Sequence, residues 1–153
     1  HLPARGAAEN GGIVGRMKPQ AILEAAPYVS DLAEAERFYG EVLGLELLAK
    51  AEGRHVFFRC GDGVLLLFLP EVTEVSPEPD ARLPVPPHGS RGPGHLCFSA
   101  SGDEIELWKK RLEDHNIAIE ADFEWPRGGR SIYFRDPSGN SLEFAEPRIW
   151  GFS

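Results

Sequence analysis

The feature that most constrains this chain is that it runs through one pattern of elements twice. An apolar stretch at residues 21–29 meets a helix signal at Asp31, where Glu34 three residues later completes a capping-box pattern. Leu32, Ala35, Phe38, Tyr39 and Val42 then recur at helical spacing, and Gly44 is placed to end the helix in a left-handed conformation. Three strand signals follow, at about residues 46–51, 56–60 and 64–69. After a Pro-rich connector, 71–93, the order returns: a strand at 95–100, a second capping-box pattern at Asp103 and Glu106, and a helix with Ile105, Trp108 and Leu112 on one face. Strand signals again come in threes, at about 117–123, 131–135 and 141–145. The grammar is βαβββ, twice.

Residues repeat as well as elements. Phe57 to Phe68 can be laid without a gap on Tyr133 to Phe144, so that Phe58, Arg59, Gly63, Leu66 and Phe68 fall on identical residues. This predicts one domain over about 17–150, built from modules at about 21–70 and 94–147. Residues 1–16, rich in Gly and Ala and preceding Met17, are expected to be a remnant or an extension outside that fold.

Composition narrows the function. With 42% hydrophobic and 26% charged residues the chain is apolar enough to build a core. A net charge of -8 without a Lys/Arg cluster argues against nucleic acid as a partner. The longest apolar run, 64–69, is far short of the ~20 residues of a membrane span, so no membrane is expected and a cytoplasmic location is. Cys60 and Cys97 lack Cys-x-x-Cys spacing and are expected to be reduced and buried.

Residues able to bind a metal stand at matching points of the two modules. Alternation along the first strand puts Glu24 on one face with Ile22, Ala26 and Tyr28; the first strand of the second module opens with His95, with Cys97 and Ser99 on the same face. Glu143 lies on the last strand, just past the turn Asp136-Pro137-Ser138-Gly139-Asn140, and the gapless alignment makes Leu67 its counterpart. Four related positions thus hold Glu, Leu, His and Glu. One imidazole and two carboxylates suit one divalent ion (Zn, Mn, Fe, Co or Ni) with positions left for substrate. A cation is also the simplest reason to keep two carboxylates together, since alone they would repel. Tyr133, Ser131, Arg130 and Trp125 are expected at the mouth of the same pocket, where they would contact substrate.

The segments PYVSDLAEAERFYGEVLGL with Glu24 ahead of them, GHLCFSA, and GGRSIYFRDPSGNSLEFAEP resemble the vicinal oxygen chelate superfamily, which includes glyoxalases, bleomycin-resistance proteins and extradiol dioxygenases. The resemblance spans residues 21–147. It implies an α+β fold of two tandem βαβββ modules forming a cupped eight-stranded mixed sheet, with metal ligands from the first strand of each module and from the last strands. Glu24, His95 and Glu143 fall on three such places, while Leu67 stands where glyoxalase I has a further Glu. GRSIYF with Tyr133 is similar to the fosfomycin-resistance enzymes. The resemblance implies an enzyme acting on a small oxygen-rich substrate, with Glu24 or Glu143 doubling as proton acceptor. Isomerase or lyase chemistry ranks first, extradiol dioxygenation second and addition of a thiol or hydroxide to an epoxide third. The competing class is a metal-free, ligand-sequestering protein like the bleomycin-resistance members. Family members commonly pair, and Trp150 and Phe152 suit a partner surface, so a homodimer is expected.

Overall fold

The computed structural model describes residues 17–153; the segment 1–16, expected outside the fold, lies outside the described residues. The first module comprises β1 (Glu24–Ala25), helix α1 (Leu32–Arg37) continuing as a π-helical turn (Phe38–Val42), β2 (Glu46–Ala51), β3 (His55–Cys60) and β4 (Gly63–Phe68). A single helical turn, α2 (Pro70–Thr73), opens the connector. The second module comprises β5 (His95–Ser99), α3 (Gly102–Asp114), β6 (Ala121–Glu124), β7 (Arg130–Arg135) and β8 (Ser141–Ala145), closed by a 3-10 turn (Pro147–Trp150).

The strands form two four-stranded sheets with one topology, β1-β4-β3-β2 and β5-β8-β7-β6. In each, the first strand pairs parallel with the last and the other pairings are antiparallel. The repeat read from the residues is therefore a repeat of fold. The hydrogen-bonded ladder does not run on through all eight strands; it closes within each module.

Local chemistry sets the element ends. Asp31 caps α1 by accepting from the Glu34 amide at 2.9 Å. The capping box of α3 is made by Ser101 and Glu104, two residues ahead of the expected Asp103 and Glu106. Ser101 has the extended backbone a cap requires, whereas Asp103 already lies in the helix. The first strand is shorter than the apolar stretch suggested, because Pro27 has no N–H to give to a ladder; pairing resumes beyond it at Tyr28, beside Phe68.

One face of each sheet is closed by the helices. Val56, Phe58, Leu65 and Leu67 in the first sheet and Ile132, Phe134, Leu142 and Phe144 in the second are buried in one core with Ala35, Phe38, Ile105 and Leu112. The modules are also tied by polar bonds. Tyr39 of α1 donates its hydroxyl to Asp136 Oδ2 at 2.8 Å, and Arg111 of α3 donates to the carbonyls of Glu41 and Val42 at 2.8 and 2.7 Å. Asn140 receives the Gly94 amide and donates to the Tyr28 carbonyl, which fixes the start of β5 against the end of β1.

Sheet register corrects the internal alignment. Phe58 stands opposite Leu65, and Phe134 opposite Leu142, so the second strand of the hairpin is offset by one residue between the modules. The turn of the second module, 136–140, is one residue longer than that of the first. The counterpart of Glu143 is therefore Leu66, which faces Phe57 as Glu143 faces Tyr133; Leu67, the expected counterpart, matches Phe144 and points into the core. The match of Glu24 with His95 stands: Glu24 lies beside Val64 and His95 beside Ser141, and those two positions are equivalent.

Candidate metal centre

The face of the second sheet away from the helices carries the chemistry. Residues opposite one another share a face, so Cys97 beside Glu143, Tyr133 opposite Glu143, and Phe123 opposite Ser131 all look the same way as His95. Glu143 is buried, at 5% exposure, while His95 is exposed, and their side chains meet with His95 Nε2 3.3 Å from Glu143 Oε1.

The bonds around this pair fix which ring nitrogen meets Glu143. His95 Nδ1 lies 3.0 Å from the Ser141 carbonyl, which can only accept, so Nδ1 carries a hydrogen and Nε2 is the nitrogen turned to Glu143. A ring nitrogen and a carboxylate oxygen so placed can hold a proton or a metal ion between them. The 3.3 Å separation exceeds the ~2.7–2.9 Å of a charge-assisted hydrogen bond. It matches the ~3.3–3.4 Å between two donor atoms each ~2.0–2.1 Å from one ion at a tetrahedral angle. A ring whose other nitrogen is held by a carbonyl is also the usual form of a metal-binding histidine. The residues present fit a divalent ion.

The other oxygen of Glu143 is engaged from behind. Ser131, fully buried, donates its hydroxyl to Glu143 Oε2 at 2.6 Å, and the Trp125 indole N–H donates to Ser131 Oγ at 2.8 Å. Desolvation first, and then the Glu143 carboxylate, push the Cys97 thiol up to about 12, and the same order of causes pushes the Tyr133 phenol up to about 12. Both groups stay neutral at physiological pH and surround Glu143 with donors rather than further negative charge.

Of the expected ligands, one chain brings His95 and Glu143 together. Glu24 lies exposed on the edge of the first sheet, and among the described residues no three His, Cys, Asp or Glu side chains converge. Glu24 and His95 stand on the first strands of two different sheets.

Of the residues expected at the mouth, Tyr133 is there, with its ring 6.3 Å from that of His95 and stacked at 5.8 Å on Phe123. Trp125 is partly exposed beside Phe123. Ser131 is fully buried and receives the Trp125 indole N–H at 2.8 Å. Arg130 is turned to the opposite face by strand alternation, where it is held by Asp122 and Glu106. Phe123, which extends the aromatic wall, was not singled out from the sequence; the signal was its alternation with Ala121, readable only once the register of β6 on β7 is known.

Two sheets of identical topology, each with one helix-covered face and one open face, define a tandem βαβββ protein with a His/Glu pair on its open face. The chain belongs to the Glyoxalase/Bleomycin resistance protein/Dioxygenase superfamily, whose family model matches residues 21–144. It is similar to a solved lactoylglutathione lyase from Agrobacterium tumefaciens, with 47% identity, a TM-score of 0.81, and coverage of 88% of this chain and 98% of that one. It is 33% identical to glutathione transferase FosA of Serratia marcescens, over 75% of this chain and 72% of the relative. It is also 30% identical to virulence protein STM3117 of Salmonella typhimurium, over 77% of this chain and 78% of that one.

Proposed function

We propose that this protein is a divalent-metal-dependent enzyme of the lyase or isomerase class acting on a small oxygen-rich substrate, with the ion held by His95 and Glu143 of one chain and Glu24 of a second copy. The observation that carries the reading is the approach of His95 Nε2 to Glu143 Oε1 at 3.3 Å on an open sheet face, with Nδ1 held by the Ser141 carbonyl. The register supports the homodimer part of this reading: Glu24 stands in its sheet where His95 stands in the other, so each open face holds part of one ligand set. A two-fold pair of chains that brings unlike open faces together forms two complete sites. Trp150 and Phe152, both exposed, are available to that contact.

When bound, the ion supplies Lewis acidity toward two neighbouring substrate oxygens and stabilises developing negative charge. The chain's own residues do the rest. His95 and Glu143 would hold the ion on the sheet, and the stacked rings of Tyr133 and Phe123 would give the substrate an apolar wall beside it. Glu24, exposed on the sheet edge and without a hydrogen-bonding side-chain partner among the described residues, would accept a proton from a substrate carbon next to an oxyanion. Likeness to a lactoylglutathione lyase supports this class. Likeness to FosA supports a second reading, thiol addition to an epoxide, on the same ligand set.

The test starts with metal analysis of protein purified without a chelating resin, followed by calorimetric titration of zinc and manganese into chelated protein. One ion per chain, lost in His95→Ala and Glu143→Ala, is the expected result; no stoichiometric ion would leave the metal-free binding protein as the better description. Incubating the loaded protein with lactoylglutathione, and separately with glutathione and a small epoxide, then divides the two reactions by mass spectrometry of the products.

A further inference from the structure

Ser131 and Trp125 were expected to touch substrate, and the geometry gives them another task. The bonds run in one direction. An indole N–H can only donate, so the 2.8 Å contact from Trp125 Nε1 occupies a lone pair of Ser131 Oγ and leaves the serine hydrogen to go elsewhere. The acceptor 2.6 Å away is Glu143 Oε2. Ser131 is fully buried and Glu143 nearly so, which shuts out the water that would otherwise compete for these positions. One carboxylate oxygen is thereby held from behind, and the other, Oε1, is left turned toward His95.

We propose that Trp125 and Ser131 form a positioning relay that makes Glu143 a one-oxygen metal ligand, a role that rests on the metal reading above. A carboxylate without such a partner can rotate to present both oxygens to one ion, which would fill a coordination position that substrate needs. With Oε2 committed to Ser131, Glu143 would be left to hold an ion through Oε1. The indole sets the polarity of the relay and carries it to the surface, since Trp125 is partly exposed while the serine beneath it is not.

The relay predicts what metal will do to each member. Protein labelled with 15N at its tryptophans gives indole signals for Trp108, Trp125 and Trp150, assigned by single Trp→Phe variants. Titrating zinc into the metal-free protein should shift the Trp125 indole signal and leave those of Trp108 and Trp150 in place. Ser131→Ala should weaken zinc binding by about 10- to 100-fold and abolish the Trp125 shift when zinc is raised to saturation. Ser131→Thr, which keeps the hydroxyl, should restore both affinity and shift even if it unfolds at lower temperature. Trp125→Phe should weaken zinc binding while leaving the melting temperature of the metal-free protein near that of the parent. If zinc binds the parent protein but the Trp125 signal stays fixed, or if Ser131→Ala binds zinc as tightly as the parent, the relay is wrong. If the parent protein binds no zinc or manganese at all, the metal reading fails instead, and the relay's role toward an ion goes with it.

Discussion

Leu66 occupies in the first module the register position that Glu143 occupies in the second: each lies on the last strand of its sheet, opposite Phe57 and Tyr133 respectively. The first sheet thus presents Glu24 and Leu66 where the second presents His95 and Glu143. A carboxylate placed at Leu66 should add a fourth ligand to the proposed shared site. Leu66→Glu is expected to bind zinc more tightly than the parent by calorimetry and to lose activity, because the added oxygen fills a position substrate would use. Leu67→Glu is the contrasting variant. Leu67 is fully buried, and an unpaired charge there should cost several kcal/mol, so this variant should melt far below the parent or fail to fold. Equal zinc affinity in Leu66→Glu and the parent would mean that the two sheets do not contribute to one site.

The buried bond between Tyr39 and Asp136 joins the first helix to the turn that precedes Glu143. Asp136 also receives the amides of Ser138 and Asn140 and the Asn140 side chain, so its carboxylate organises the whole turn. Burial first, and then the Asp136 charge, hold the Tyr39 hydroxyl well above its ordinary range, and it remains a donor at any pH the fold survives. Tyr39→Phe removes one donor and leaves the rest. It should lower unfolding free energy by about 1–3 kcal/mol in urea titration, and because the turn sets the entry of β8, it should also weaken zinc binding. A loss of stability with unchanged metal affinity would separate the turn from the site.

What could be read from residues alone was local and periodic. Alternation along a strand put His95 with Cys97 and Glu24 with Ala26 without any knowledge of neighbours, and the helix caps were legible as spacings, to within two residues at Ser101. The misplacement of Leu67 came from a turn: Pro137, Ser138 and Gly139 fill a reversal that Gly61 and Asp62 complete with one residue fewer, and a one-residue slip moves a side chain to the opposite face. The facing of Arg130 was not legible for a related reason, since it is fixed by pairing and its partners Asp122 and Glu106 come from a neighbouring strand and from the helix. Whether Glu24 reaches His95 within one chain was never a local question. It depends on how the sheets are disposed, which no spacing encodes.

On the helix side of the second sheet, Asp122 accepts from both nitrogens of the Arg130 fork and from Lys109. The Arg130 hydrogen bonds, more than any other cause, hold the Asp122 carboxyl well below the ordinary carboxylate range, against the desolvation that raises it. A carboxyl depressed in the folded state stabilises the fold above its unfolded value, and that contribution fades as pH falls through the folded value. Asp122→Asn should therefore lower stability by about 1 kcal/mol in urea unfolding at pH 7, and the gap to the parent should narrow steadily below about pH 4. A gap that is constant from pH 7 to pH 2.5 would show that the charge of Asp122 contributes nothing.

The sharing of one site between two copies makes a numerical prediction. Glu24→Ala and His95→Ala should each bind zinc poorly, since each removes one ligand from every site. If sites are shared, a mixed dimer of the two variants has one site lacking both residues and one with all three ligands intact, because Glu24 of one chain serves His95 and Glu143 of the other. Random exchange of equal amounts makes about half of all dimers mixed, so about one quarter of all sites should regain parental affinity. If all three ligands came from one chain, mixing would restore none. The two variants are unfolded in urea, combined, refolded and dialysed free of metal, and the high-affinity zinc capacity is measured by calorimetry against each variant treated alone. Recovery near one quarter supports the shared site. Recovery of none, with light scattering showing dimers in the mixture, would overturn it and leave Glu24 as a residue of the exposed sheet edge.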